Sequence, residues 1–236
     1  YPPLAGAPGH APAPAPHANV RYHPARDFAA VGPLGITPFV LVVRPDRGFR
    51  TVGDLVAAAN ARPGTFNFSS PGVGSASHLS AERFRLGAGV AAVHVPFKGG
   101  AEMMTEVIAG RIDFAFLALG AALPMIRDGK LAALAVNSAT RSSALPDVPT
   151  IRQAGFSDAE YPMWFGIFLP ARAPREIVEK LHRETLKALQ QPKVKEKLAA
   201  LGVDPMVATP AEFDALVERD IAINAGLVSA IGLTAR

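Results

Sequence analysis

The sequence predicts an α/β protein with largely parallel sheets, and three observations carry that reading. From Val31 onward, short apolar runs alternate with amphipathic segments, the pattern of repeated strand–helix units. A Ser/Gly-rich turn joins a strand to a helix within Phe66-Asn67-Phe68-Ser69-Ser70-Pro71-Gly72-Val73-Gly74-Ser75-Ala76-Ser77-His78-Leu79. The C-terminal third is helical by its apolar spacing and carries its own start signals.

Residues 1–19 are rich in Pro, Ala, Gly and His and read as extended or loop-like, since each Pro removes a donor and disfavours helix before it. Strands are expected at 40–43, 65–68, 90–95, 114–117, 131–136 and 165–169. Helices are expected between them at 52–61, 78–86, 101–109, 121–128 and 151–154. Pro174 opens a further helix, whose Ile177, Val178, Leu181, Thr185 and Ala188 share one face. Thr209-Pro210-Ala211-Glu212 supplies an N-cap, a proline at the first helical position and a capping-box glutamate. Phe213, Leu216, Val217 and Ile221 follow at helical spacing, and Thr150-Ile151-Arg152-Gln153 is a second capping box, closed by Gly155.

Composition narrows the function classes. The chain has 236 residues, 49% hydrophobic and 19% charged, which suits a compact protein of one or two lobes. Its net charge of +4 is scattered along the chain, too mild for a nucleic-acid footprint. There are no cysteines, which excludes thiol chemistry, disulfides and Cys-based zinc sites. The apolar stretch 115–126 is interrupted by Gly120 and Pro124 and falls short of the roughly 20 residues of a spanning helix, so no membrane insertion is expected. No charged-then-apolar leader opens the sequence; a signal peptide is expected to be already gone or never included.

The 69–78 turn carries the most chemistry. Ser69, Ser70, Gly72, Gly74, Ser75, Ala76, Ser77 and His78 aim backbone N–H groups and hydroxyls at the start of a helix, where the dipole adds partial positive charge. That is a seat for a carboxylate or another small anion, with Ser75 and Ser77 expected as hydroxyl donors. A tight strand–helix connection built for backbone reasons is the alternative. Lys98, followed by Gly99 and Gly100, stands at the C-terminal end of a strand, where α/β folds place ligands. The glycine backbone is the better candidate there than the ammonium. Phe97 is a pocket wall or a core residue on equal terms.

Catalytic and metal readings do not assemble. Gly72-x-Gly74-x-x-Ser77 lacks the third glycine of a dinucleotide fingerprint. Ser75 is not in a Gly-x-Ser-x-Gly elbow, and Ser77 and His78 are sequence neighbours that do not face each other on a helix. His10, His17 and His23 lie in a Pro-rich setting without fixed local geometry, so no metal is expected. His94 lies on an apolar strand and reads as a satisfied core or surface residue, and Trp164, before a returning strand, as packing. No enzyme activity and no cofactor are expected.

Six motifs in order give a resemblance over essentially the whole chain. They are Tyr22-His23-Pro24-Ala25-Arg26-Asp27-Phe28, Phe39-Val40-Leu41-Val42-Val43, Ser69-Ser70-Pro71-Gly72-Val73-Gly74-Ser75, His94-Val95-Pro96-Phe97-Lys98-Gly99-Gly100, Gly129-Lys130-Leu131-Ala132-Ala133-Leu134-Ala135-Val136 and Leu145-Pro146-Asp147-Val148-Pro149-Thr150. Together they resemble the Bug family of periplasmic solute-binding receptors for tripartite tricarboxylate transporters. The resemblance implies a two-lobed, type II (Venus-flytrap) periplasmic-binding-protein fold that closes on a small carboxylate: a di- or tricarboxylate, an amino-acid-like acid or an aromatic acid. It implies delivery to the membrane carrier subunits of the transporter, a periplasmic location, and a monomer when complete. Residues 1–36 and 137–236 would form the first lobe and 37–136 the second. Family members begin with a strand–helix–strand–helix unit and a Gly-rich loop, whereas the first ten residues here match the middle of the first lobe. The chain therefore reads as N-terminally truncated, with its first lobe incomplete. A truncated, non-transporting remnant or regulatory sensor acting through protein contacts is the alternative function. Leu117 stands where many relatives have a polar or acidic residue, which argues against a ligand bearing an amino group.

Overall fold

The computed structural model describes residues 4–6, 22–161 and 163–233, in two compact units. One comprises Tyr1–Ile36 with Met163–Arg236, the other Thr37–Pro162. In chain order the elements are β1 (Leu4–Gly6), β2 (Phe28–Thr37), β3 (Phe39–Val43), α1 (Val52–Ala61), β4 (Phe66–Ser70), α2 (Ala76–Gly87), β5 (Ala92–Pro96) and α3 (Gly100–Ile108). Then follow β6 (Phe114–Ala118), α4 (Leu119–Arg127), β7 (Ala132–Val136), β8 (Met163–Pro170), α5 (Arg175–Gln190), α6 (Pro192–Ala200), β9 (Asp204–Pro205) and α7 (Pro210–Ala230).

The second unit is a five-stranded sheet in the order β5-β4-β6-β3-β7. β4 runs parallel to β5 and β6, while β3 runs antiparallel to both β6 and β7. The sheet is therefore mixed, a correction to the largely parallel expectation. All five β3 residues are buried, so its sequence is the continuous apolar run of a strand covered on both faces, and such a run carries no mark of direction. Val40, Val42, Ala115 and Leu117 pack under Met103 and Val107 of α3 and Leu119, Ala122 and Leu123 of α4. Phe68, Phe84, Phe114 and Phe116 form a chain of ring contacts with centroids 5.6–5.8 Å apart, and all four rings are fully buried.

The first unit is built on a sheet in the order β1-β8-β2-β9, with β1/β8 and β2/β9 antiparallel. Trp164 and Phe168 of β8 meet Phe213 of α7 at 4.9 and 5.2 Å. Trp164 is 1% exposed and its indole N–H donates to Asp220, so it is a core residue of this unit. Gly166 permits that packing, because a Cβ there would stand 2.3 Å from the Phe213 ring. The α7 capping box forms as the sequence implies, Thr209 Oγ1 accepting from the Glu212 N–H and the Glu212 carboxylate from the Thr209 N–H.

Three expectations differ from what forms. Residues 151–155 make a turn and no helix. The Thr150/Gln153 capping bonds are present at 3.1 Å each way, but Gly155, at φ 96°, ends the segment after one turn. β2 was not expected, since Gly32, Pro33 and Gly35 break its apolar pattern. Residues 137–161, expected in the first lobe, belong to the second unit. Asn137 fastens them there: its backbone N–H donates to Phe39 O, its side-chain oxygen accepts from the Phe39 N–H at 2.7 Å, and its amide donates to Tyr161 O at 2.8 Å and Ser80 Oγ at 3.1 Å. The 1–19 run, with His10 and His17, lies outside the described residues apart from residues 4–6 of β1.

Candidate ligand-binding site

Because β4, β5 and β6 are parallel, their C-terminal ends lie on one edge of the sheet. The helices that follow them, α2, α3 and α4, all start there. A cavity of about 400 Å³ opens at this edge, lined by the first turns of those three helices, by Phe39 and Pro71, and by Phe116, Leu117 and Ala118 at the end of β6.

Each of the three helix starts presents N–H groups with no acceptor among the described residues. In α2 the Ser75 side chain caps the His78 N–H at 3.3 Å and leaves Ala76 and Ser77. The α3 start has no side-chain cap, and the N–H groups of Gly100 and Ala101 are open. The α4 start likewise has no side-chain cap; Leu119 N–H donates to Pro38 O, and Gly120 and Ala121 are open. A helix start carries roughly half a positive charge on such groups, so three around one cavity make it a seat for negative charge.

Of the twelve residues singled out in the sequence, Ser75, Ala76, Ser77 and Gly100 line this cavity. The expected hydroxyl donors are engaged inside the protein. Ser75 Oγ donates to Gly72 O at 2.7 Å, and Ser77 Oγ donates to Phe116 O, so the open donors are backbone amides. Ser69 is fully buried and its hydroxyl has no hydrogen-bond partner among the described residues. Gly72 and Gly74 shape the turn with φ of 140° and 78°, conformations open to glycine. Gly99, with φ 176°, is simply extended. Lys98 is exposed, its N–H donating to the Glu102 carboxylate at 3.1 Å. Phe97 is half-buried against the α3/α4 core. Neither Phe97 nor Lys98 lines the cavity. His23 N–H donates to Asp27 at 2.7 Å and its Nδ1 accepts from the Arg26 N–H, a local turn.

His78 faces inward. It is 3% exposed, its Nδ1 accepts from the Gly74 N–H at 3.2 Å, and its Nε2 stands 3.6 Å from Glu82. Its ring lies 4.0 Å from that of His94, which stacks on Phe68 at 5.0 Å. His94 Nε2 meets Ser70 Oγ at 2.7 Å, and Ser70 Oγ donates to Gly72 O and accepts from the Gly72 N–H. The two imidazoles thus hold the turn from behind, through Gly74 and through Ser70. Burial, and then the neighbouring His78, lower the His94 pKa to about 4 from 6.5. Burial alone would raise the Glu82 carboxyl, but the His78 ring and Arg85 outweigh it and hold it below its ordinary value.

An acid-lability follows from His94. Between pH 6.5 and about 4 the unfolded chain takes up a proton that the folded chain refuses, so stability is full above pH 6.5 and falls as pH drops through that window. The loss expected at pH 4 is about 2 kcal/mol, once the full shift is discounted for a half-buried ring. Urea unfolding at pH 7.5 and pH 4.5 measures it, with His94→Gln expected to flatten the difference; an equal loss in the variant would assign the effect elsewhere.

The comparisons with known proteins decide the family. The model of the tripartite tricarboxylate transporter family receptor matches residues 4–233. The chain belongs to that family. Among curated relatives, Protein BugT of Bordetella pertussis is 32% identical over 214 residues, covering 91% of this chain and 66% of its own. The first three such relatives are covered over 57, 63 and 66% of their lengths, so this chain spans about three-fifths of the length of the curated relatives it matches. Among solved structures, R. palustris Rpa4515 with adipate superposes with TM-score 0.85 at 30% identity, covering 99% of this chain and 78% of that one. MatC (Rpa3494) from Rhodopseudomonas palustris with bound malate gives 0.79 at 27% identity, over 95% and 78%. The α/β fold is thus that of periplasmic solute-binding proteins. Among the described residues of this chain, no helix is long and apolar enough to cross a membrane.

The sequence places a helix at 121–128 but does not bring its start, or the walls, into the site. Ala118-Leu119-Gly120 has no Ser, and only Gly120 hints at a junction. Phe39, Met103, Met104 and Phe116 read as ordinary core, and only the sheet order brings them to one edge.

Proposed function

We propose that this chain acts as an extracytoplasmic solute receptor, binding a small carboxylate in the second unit and passing it to the membrane carrier subunits of a tripartite tricarboxylate transporter in the periplasm. The observation that carries this reading is the convergence of three helix starts with open N–H groups on one cavity. The amides of Ala76, Ser77, Gly100, Ala101, Gly120 and Ala121 are the donors, and Ser75 and the glycines of the turn fix their geometry. Three to five charge-assisted hydrogen bonds at about 1.5–3 kcal/mol each span the roughly 8 kcal/mol of a micromolar complex. Adipate and malate, each present in a family structure, are carboxylates of the size such a seat takes. The proposed role is binding and release, with no bond broken and no cofactor.

Titration calorimetry of the chain with adipate, and with adipamide as the neutral counterpart, tests the reading. Micromolar binding of the acid and none of the amide is the expected outcome. Equal binding of both would remove the charge from the explanation, and no binding by any small carboxylate would remove the function.

A further inference from the structure

The cavity's walls say more than that an anion fits. Beyond the open amides, apolar surface faces the cavity from Phe39, Met104 and Leu117, with the fully buried Met103 and Phe116 packed behind them, and among the described residues no charged side chain lines it. The hydroxyls at its edge already donate, Ser75 to Gly72 O and Ser77 to Phe116 O. Lys98 and Glu102 are exposed and engaged with each other through the Lys98 N–H. One end of the cavity is therefore an amide-lined anion seat and the rest is an apolar wall to which the described residues bring no free donor. A ligand hydroxyl or second carboxylate pressed against that wall would lose its water and gain no partner.

From this we infer that the ligand is an acid with an apolar body: one carboxylate on the helix starts, then a run of methylenes or a phenyl ring against Phe39, Met104 and Leu117. Any second acidic group lies beyond the wall, at the far end of the apolar spacer. Hydroxylated and branched polyacids such as malate and citrate are the disfavoured class. The inference rests on the receptor reading above and specifies its ligand. An apolar site can discriminate against an added hydroxyl by about a hundredfold, and Met side chains adapt to bodies of different shape, so selectivity for apolarity without a sharp choice of skeleton is expected.

Titration of the full chain with hexanoate, 3-phenylpropanoate, adipate, malate and citrate at one pH tests it. The first three are expected to bind at least tenfold tighter than malate and citrate. Met104→Gln, nearly isosteric at a half-buried position, is expected to weaken hexanoate and 3-phenylpropanoate about fivefold or more and so narrow the gap to malate. Malate or citrate binding as tightly as hexanoate would overturn the ligand class while leaving a carboxylate receptor standing. Equal weakening of every acid by Met104→Gln would show that this wall does not read the body, which also overturns the inference. A chain that binds none of the five removes the receptor reading and this inference with it.

Discussion

Replacing Asn137 by Ala is expected to destabilise the second unit by about 3–5 kcal/mol, although the side chain touches no proposed ligand. Asn137 is fully buried, and its amide is satisfied on both sides. Truncation strands the Phe39 N–H in the interior at about 1–3 kcal/mol and removes the bonds to Tyr161 O and Ser80 Oγ, at about 1 kcal/mol each. Side-chain networks of this kind couple their members, so the loss should exceed that of Ser80→Ala, which removes only the 3.1 Å contact. The consequence for binding is direct, because Phe39 lines the cavity and its backbone is held by Asn137. Far-UV circular dichroism in urea measures the loss. A variant within about 1 kcal/mol of the parent would show that 137–161 is held by its apolar contacts alone.

The second large effect concerns the donors themselves. Proline at the first position of a helix deletes an N–H and is otherwise favoured there. Gly100 and Ala76 occupy that position in α3 and α2, each after an extended residue, as a following proline requires. A Cβ at Gly100 meets nothing within 4 Å. Gly100→Pro and Ala76→Pro are each expected to weaken carboxylate binding about ten- to a hundredfold, the factor for one charge-assisted bond of about 1.5–3 kcal/mol. Together they should take a micromolar ligand to about 0.1–10 mM. Gly100→Ala restricts the backbone but keeps the N–H, so the difference between the two Gly100 variants reads the donor alone. Thermal midpoints within a few degrees of the parent establish that folding is intact. Loss of affinity equal in Gly100→Ala and Gly100→Pro would mean that the backbone, and not the donor, matters.

Much of the fold was legible because periodicity records it. The strands of the second unit and most of the helices fall where apolar alternation and capping residues put them, and Thr209–Glu212 forms the box its sequence spells. Direction was not legible, since a strand buried on both faces, such as Phe39-Val40-Leu41-Val42-Val43, reads the same either way. Nor was the return to the first unit. It depends on one buried Asn137, whose partners Phe39, Ser80 and Tyr161 lie far off in sequence.

The site was half legible for the same reason. Local signals marked the turns before the helices expected at 78–86 and 101–109, which start after Ser75 and Gly99, because Ser and Gly are there for local backbone geometry. They could not show that the hydroxyls of Ser75 and Ser77 are turned inward, that His78 pairs with His94 behind the turn, or that a third start at Ala118 completes the ring. Those facts depend on sheet order.

The most direct measurement is a ¹⁵N-labelled chain titrated with 3-phenylpropanoate and followed amide by amide. The account predicts saturable shifts concentrated on Ala76, Ser77, Gly100, Ala101, Gly120 and Ala121, with Lys98 and the helices of the first unit little changed. Saturable shifts that fall elsewhere and leave these six amides unmoved would contradict it.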